Sequence, residues 1–101
     1  MKKCEFYTMK RINRETVAVL VKGYTDGTYN YYRQENTWYI IDPNTGRLLY
    51  MANTLSKTRE LAKDINTANS VKYMKTTKEY EKWVKQFKEA VQTAREETNE
   101  Q

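Results

Sequence analysis

Apolar and polar residues follow a strand-like pattern through the first half of the chain and a helix-like pattern after Ala52. Five stretches before that point are rich in aromatic and β-branched residues, which favour strands. They are residues 4–12, 15–24, 29–34, 37–41 and 48–51. For the first of them, the helical spacing of Phe6, Met9 and Ile12 is an alternative. The links between residues 25 and 47 are short, so an antiparallel meander is expected.

The stretch Thr37–Ala52 predicts the β-hairpin around which the fold is organised. Its centre, Asp42–Gly46, has the chemistry of a turn. Pro43 presets φ at the first turn position, Asp42 can accept hydrogen bonds from nearby backbone groups, and Gly46 can adopt a positive φ. Two runs of aromatic and branched apolar residues flank this turn, so the segment is expected to place one of its faces in the core.

Two details of the sheet follow from local patterns. The Asp-Gly pair at residues 26–27 predicts a type I′ turn between two strands. In the second strand of the later hairpin, simple alternation puts Leu48 and Tyr50 on one face and Leu49 and Met51 on the other.

The period of the second half predicts two helices. Ser56 is expected to cap the first helix, which ends near residue 66. Thr76 and Glu79 form a capping box in front of the second helix. The apolar positions of that second helix make one stripe: Tyr80, Trp83, Val84, Phe87, Val91 and Ala94.

These elements predict an α+β fold: an antiparallel sheet of three to five strands packed against two C-terminal helices, the last of them long and amphipathic. Residues 1–101 are expected to form a single domain, with a frayed tail at residues 96–101. Residues 71–74 are expected to be a short edge strand or a connector. Two helices cover one face of such a sheet, so the opposite face is expected to keep exposed tyrosines.

Composition places the chain among folded proteins, because 39% of its residues are hydrophobic and 31% are charged. Its longest apolar run, residues 17–21, is far shorter than a membrane span requires. The first residues lack the apolar segment of a secretory signal. Cys4 has no second cysteine to pair with, which favours a reducing compartment. A cytoplasmic protein without a membrane partner is therefore expected.

Charge is spread unevenly along the chain. Its net value is +5, with +3 in residues 1–56, +5 in residues 57–88 and −3 in residues 89–101. The basic middle permits a contact with nucleic-acid phosphates through a lysine set. That set is Lys72, Lys75, Lys78, Lys82 and Lys85. An ordinary solvated lysine face is the alternative, and it is slightly favoured because no arginine cluster accompanies these lysines.

Residue types that carry catalysis are scarce in this chain. There is no histidine, a single cysteine and three glycines, each at a predicted strand end or turn. This removes the commonest general base and metal ligand and leaves no glycine-rich phosphate loop. No catalytic residue, metal site or cofactor is therefore predicted, and a role other than an enzyme is expected.

Aromatic residues and arginines alternate on the predicted neighbouring strands. A sheet face of this kind suits contact with a protein partner or stacking with bases. The predicted partner-binding residues are Tyr29, Tyr31, Tyr32, Arg33, Tyr39, Arg47 and Tyr50. The alternative is that such aromatics form the sheet side of the core, which is the favoured interpretation for Trp38 and Trp83.

The segments Trp38-Tyr39, Asp42–Arg47 and Thr54–Ala62 together resemble the arm-type DNA-binding domain of phage and transposon tyrosine integrases. The resemblance covers about a third of the chain and implies a sheet that enters the DNA major groove. The chain departs from that pattern at residues 48–51, which are apolar where a groove-reading sheet carries Lys or Arg. We treat the likeness as an analogy of shape.

Three functions are compatible with these observations. The favoured one is a small non-enzymatic interaction protein, an inhibitor or adaptor from a phage or mobile element that binds a host protein in an anti-defence role. The alternative is an accessory protein that binds DNA or RNA, directly or within a protein–nucleic acid complex. A homodimer that uses the tyrosine face as its interface is the third. The Lys-, Asn- and Tyr-rich composition fits an AT-rich source genome.

Overall fold

The computed structural model describes residues 1–68 and 77–99, and it confirms the predicted α+β fold. Within these residues the chain forms one antiparallel sheet in the order β1-β2-β3-β4-β5, followed by two helices. The strands are β1 (Lys2–Ile12), β2 (Glu15–Thr25), β3 (Asn30–Gln34), β4 (Thr37–Ile41) and β5 (Leu48–Ala52). The helices are α1 (Leu55–Ala68) and α2 (Thr77–Asn99). The strand alternative for residues 4–12 is therefore the correct one.

The turn of the β4–β5 hairpin has the predicted chemistry. Gly46 has a φ of +66°, and the Asn44 N–H donates to Asp42 Oδ1 at 2.8 Å. The Asp42 N–H donates to the Arg47 carbonyl at 3.0 Å, which closes the turn. The prediction for β5 was wrong, because a bulge pairs Leu48 with Ile41 and Tyr50 with Ile40 and so interrupts the alternation.

The β2–β3 turn differs from the predicted type I′ geometry. Gly27 has a φ of +91°, but Asp26 stays outside the left-handed region that this turn type requires at both central residues. Instead, Asp26 Oδ1 accepts hydrogen bonds from the Thr28 and Tyr29 N–H groups at 2.8 and 2.7 Å. The side chain thus organises a longer turn, in the manner of an Asx turn.

Strand β2 pairs with β3 only at Tyr24 and Thr25, and this pairing ends at Gly23. A Cβ at Gly23 would collide with the Tyr31 carbonyl oxygen, so only glycine fits this approach. The β1–β2 hairpin consequently folds back over one side of β3 and β4. Its outer edge reaches the β4–β5 turn, where the Met9 N–H donates to the Gly46 carbonyl at 2.8 Å and Thr8 Oγ1 donates to the same atom at 3.1 Å.

Two buried clusters lie on opposite sides of β3 and β4. The helix-side core consists of Tyr31 and Ile40, with partly buried side chains around them: Tyr29, Trp38, Leu49, Tyr50, Leu55 and Leu61. The hairpin-side core consists of Phe6, Tyr32 and Ile41, with Cys4, Val21 and Tyr39 around them. The expectation of one covered and one open sheet face was therefore wrong, because the β1–β2 hairpin covers the side that α1 leaves free.

Helix α1 lies against β4 and β5 and begins one residue after Thr54. The Lys57 N–H donates to Thr54 Oγ1 at 3.2 Å, so Thr54 caps the helix and the predicted cap at Ser56 was wrong. The Thr58 hydroxyl is fully buried and donates to the Thr54 carbonyl at 2.7 Å, which ties the first turn together. The helix extends to Ala68, slightly beyond its predicted end.

Helix α2 packs against β2 and the β4–β5 turn through the predicted apolar stripe. All six stripe residues are half-buried, and a Cβ at Gly46 would overlap the Phe87 ring. Glu79 occupies the third helical position as predicted. The helix continues to Asn99, past the predicted start of the tail at residue 96. The predicted cap Thr76 and the connector at residues 71–74 lie outside the described residues.

Candidate partner-binding groove

Two of the seven predicted partner-binding residues are core residues. Tyr31 has no exposed surface, and its hydroxyl donates to Asp26 Oδ2 at 2.6 Å. Tyr32 is buried and stacks on Tyr39, with ring centroids 4.9 Å apart, while the Phe6 ring meets its edge at 6.1 Å. Their place on a partner surface was therefore a wrong prediction, because both faces of β3 and β4 are covered.

The hydrogen bond between Tyr31 and Asp26 joins the helix-side core to the β2–β3 turn. Burial, followed by the bond to Asp26, raises the pKa of Tyr31 well above its usual range. Burial acts to raise the pKa of Asp26 as well, but the hydrogen bonds from Tyr29, Tyr31 and Thr28 outweigh it and leave that pKa lowered. The pair consequently keeps a neutral phenol and an ionised carboxylate at neutral pH.

The other predicted sheet residues do not form one surface. Tyr29 and Tyr50 are half-buried in the helix-side core, whereas Tyr39 is half-buried in the hairpin-side core. Arg33 is exposed beside Trp38, and its Nε donates to the Glu35 carbonyl at 3.0 Å. The seventh predicted residue, Arg47, lies apart from these at the β4–β5 turn.

Arg47 meets Trp83 of α2 in a cation–π contact. The guanidinium carbon lies 4.1 Å from the centroid of the indole ring, well within the distance at which this interaction is attractive. Trp83 belongs to the apolar stripe of α2 but is half-buried, so part of its ring remains accessible. The contact therefore places a cation and an aromatic surface side by side at the protein surface.

A groove of about 820 Å³ runs between α2 and the sheet at this contact. Its guanidinium groups come from Arg11 of β1 and Arg47 of the β4–β5 hairpin. Lys10 also borders it, but the Lys10 ammonium donates to Gln34 Oε1 at 3.2 Å and lies 5.3 Å from the centroid of the Tyr32 ring, and neither partner lines the groove. Its apolar side chains include Met9, Leu48 and Trp83. Leu48 is 42% exposed, so its side chain offers apolar surface in the groove. The groove thus combines positive charge with accessible apolar surface.

Two carboxylates also line the groove, but one of them is engaged within the protein. Asp42 accepts hydrogen bonds from the Asn44 N–H at 2.8 Å and from the Tyr80 hydroxyl at 3.3 Å, and the Asn44 amide donates to that hydroxyl at 3.3 Å. Burial raises the pKa of Tyr80; the bond from Asn44 opposes this and Asp42 adds to it, so the phenol stays protonated. Glu89 is the second carboxylate.

The predicted lysine set is placed only in part. Lys78, Lys82 and Lys85 are exposed on the face of α2 opposite the apolar stripe. They share the helix with Lys88 and Arg95 and with five glutamates, so α2 carries as many carboxylates as cations. Lys72 and Lys75 lie outside the described residues.

The groove contains residues that sequence patterns did not select for a site. Lys10 and Arg11 carried no local signal, and Trp83 was assigned to the core by its helical spacing. Arg47 was selected, and its position next to the turn glycine is the one sequence feature that points to this place. Its groove neighbours come from segments far apart in the chain, so only the fold brings them together.

Within residues 1–68 and 77–99, no three His, Cys, Asp or Glu side chains lie close enough to hold a metal ion. In the same part of the chain, neither helix combines the length and apolar character that crossing a membrane requires. No known protein family, characterised protein or solved structure matches this chain.

Proposed function

We propose that this protein is a non-enzymatic interaction protein that binds a segment of a partner protein in the groove between α2 and the sheet. The observation that carries the proposal is the stacking of Arg47 on Trp83 beside the exposed Leu48. Arginine and tryptophan are the residue types that most often dominate binding energy at protein interfaces. An accessible leucine beside them supplies apolar area for a partner to cover.

The charges of the groove favour an acidic partner segment. The guanidinium groups of Arg11 and Arg47 line it, and of its two carboxylates Asp42 already accepts hydrogen bonds from Asn44 and Tyr80. A peptide with carboxylates and apolar side chains would pair with Arg11 and Arg47 while covering Leu48 and Trp83. Complementary charge of this kind contributes to partner choice and association rate as well as to affinity.

A more specific proposal concerns the identity of the partner protein and the compartment in which it is bound. We propose a host protein in the cytoplasm as the partner, with the chain acting as an inhibitor or adaptor from a phage or mobile element in an anti-defence role. This rests on the lack of histidine and on the Lys-, Asn- and Tyr-rich composition. The groove adds the chemical class of the segment that the partner must present.

Selection from a random dodecapeptide library against the immobilised protein tests the groove. We expect the recovered peptides to be enriched in Asp or Glu together with aromatic or aliphatic residues. In titration calorimetry, the variant Arg11→Glu/Arg47→Glu should bind a recovered peptide at least about tenfold more weakly, because two attractive charge contacts become repulsive.

The matched control is Arg33→Glu/Lys57→Glu, which reverses two exposed cations on β3 and on α1 that do not line the groove. This variant should bind the same peptide with the affinity of the unmodified protein. Recovery of no acidic peptide, or equal loss of binding in both double variants, would overturn the proposal.

Nucleic-acid binding is the second candidate, and the exposed row Lys78, Lys82 and Lys85 favours it. Three lysines near the positive end of a helix can meet phosphates. Fluorescence anisotropy with labelled single-stranded and duplex 30-mers tests this function. It predicts binding at 50 mM salt that weakens steeply at 200 mM and is lost in Lys78→Glu/Lys82→Glu/Lys85→Glu. Absence of binding at 50 mM salt would remove it.

A further inference from the structure

Strand β1 is an edge of the sheet, and its hydrogen-bonding direction can be read from one contact. The Met9 N–H points away from β2 and donates to the Gly46 carbonyl. In an antiparallel pair, successive residues alternate between facing the neighbour and facing away. The backbone groups of Lys3 and Glu5 therefore point to the same outer side as those of Met9.

The outer side of β1 before Met9 has the form of a strand-addition surface. Both Lys3 and Glu5 are exposed, and they lie within the 11-residue ladder that β1 forms with β2. An exposed strand edge of this kind pairs readily with another strand. The opposite edge strand of the sheet, β5, differs in having α1 against it.

The charges of Lys3 and Glu5 on the outer edge of β1 indicate which strand can pair with it and in which register. When β1 pairs antiparallel with β1 of a second copy, the backbone groups that point away from β2 can hydrogen-bond across the pair only if residues such as Lys3 and Glu5 lie opposite residues of the same kind. Three such registers place a charged residue of one copy, Lys3 or Glu5, directly opposite a charged residue of the other copy. One puts Lys3 opposite Lys3, one puts Glu5 opposite Glu5, and one puts Lys3 opposite Glu5 twice. Since like charges directly opposite are destabilising and opposite charges stabilise, the third register is selected.

We infer that two copies of this chain associate through their β1 edges in that register, which forms one continuous ten-stranded sheet. The two-fold axis passes between the two Cys4 residues, and each Glu5 lies between Lys22 of its own β2 and Lys3 of the other copy. A strand edge protected by lysines alone would repel a second copy. The Lys3-Cys4-Glu5 sequence is instead complementary to itself.

This association is separate from the proposed groove. The groove uses β1 residues from Met9 onward, whereas the dimer uses the residues around Cys4. A protein can therefore bind peptide and fail to dimerise, or the reverse. The two inferences are tested independently by the same set of purified variants.

Site-directed crosslinking tests the register. In the paired strands, the two Cys4 Cα atoms would be about 4.5 Å apart, as in a non-hydrogen-bonded pair. A short bismaleimide should therefore convert most of the protein to a covalent dimer. In the control variant Cys4→Ser/Thr28→Cys, which moves the thiol to the exposed β2–β3 turn, only slow collisional crosslinking is expected.

Charge reversal measured by sedimentation equilibrium tests the contact itself. Lys3→Glu and Glu5→Lys should each weaken the dimer about tenfold, because each change creates two like-charged pairs. The combined variant Lys3→Glu/Glu5→Lys should restore dimerisation, since every pair is opposite again. Circular dichroism must show each variant folded.

Two outcomes would overturn the inference. The first is a protein that sediments as a monomer at every concentration and crosslinks through Cys4 no faster than the control variant does through its relocated thiol. The second is a dimer that neither single charge reversal weakens, or that the combined variant fails to restore. The first excludes association through β1, and the second excludes this register.

Discussion

The interior around β3 and β4 and the groove beside α2 use aromatic side chains in opposite ways. In the interior, Trp38 packs with Tyr31 and Ile40 beneath α1, and its ring lies 6.0 Å from that of Tyr24. In the groove, Trp83 has a guanidinium on one face and borders open space. The two tryptophans are both half-buried, but only Trp83 lies in a groove lined by two arginines and an accessible leucine.

The difference shows that an aromatic-rich sheet does not by itself leave aromatic surface for a partner. The β3–β4 hairpin is covered by a helix on one side and by folded-back strands on the other, so its tyrosines serve stability. In the groove, α2 packs on β2 and places Phe87 against Gly46, whereas Trp83 borders open space. Partner contact is therefore expected beside the core instead of on it.

The largest effect that separates the two regions is expected for Ile40→Ala. Ile40 has no exposed surface, so the change should lower the free energy of unfolding by about 3 kcal/mol. Leu48→Ala in the groove should cost less than about 1 kcal/mol, because much of that side chain is already in water. Urea denaturation measures both, and equal costs would contradict the division into a closed core and an open groove.

The next largest effect concerns the attachment of α2. Gly46→Ala should lower the free energy of unfolding by about 2 to 4 kcal/mol, because a positive φ and a clash with Phe87 both act. Gly27→Ala is the matched control, since Gly27 also has a positive φ but open space around it. It should cost about 1 kcal/mol. Thermal unfolding that gave equal losses would mean that Phe87 does not pack on the turn.

A smaller, pH-dependent effect tests the helix-side core. The lowered pKa of Asp26 means that its carboxylate stabilises the fold above about pH 4 and loses that contribution as pH falls through the lower folded-state pKa. Asp26→Asn should cost about 1 kcal/mol at pH 7. In urea denaturation this difference should shrink toward about pH 3; a difference independent of pH would contradict the assigned role of the carboxylate.

The smallest effect on stability is expected for Arg47→Ala. An exposed cation–π contact contributes about 0.5 to 1 kcal/mol, so the midpoint of urea unfolding should move only slightly. Arg47→Lys should keep the charge and lose the planar stacking. Its midpoint of urea unfolding should therefore lie between those of the unmodified protein and Arg47→Ala. A loss as large as that of Ile40→Ala would place Arg47 in the structural core and remove it from the groove.

Features that depend on neighbouring residues could be predicted from the sequence. The turn at residues 42–46 has its predicted hydrogen bonds because Asp42 acts on backbone two residues away. The stripe of α2 was predicted because its helical period is a property of the local sequence. Two local predictions were wrong. The bulge interrupts the alternation expected for β5, and the cap of α1 is Thr54, two residues before the predicted Ser56.

Features that depend on distant contacts could not be predicted. Alternation places Cys4, Phe6 and Thr8 on one face of β1, but it does not say that this face meets Tyr32. That contact depends on the close approach of β2 to β3 at Gly23, where a Cβ would collide with the Tyr31 carbonyl oxygen. The groove could not be predicted for the same reason, since its residues come from β1, the β4–β5 turn and α2, which are far apart in the sequence. Arg47 was identified, whereas its neighbours required the fold.

The indole N–H signals of the two tryptophans test most directly whether partner contact occurs in the groove. In a two-dimensional ¹⁵N–¹H spectrum, titration with a recovered acidic peptide should shift the Trp83 signal and leave Trp38 unchanged. The variant Trp83→Phe assigns the signals and keeps an aromatic ring on α2. A shift of Trp38 with Trp83 unchanged would contradict the account, because the peptide would then lie over the sheet core.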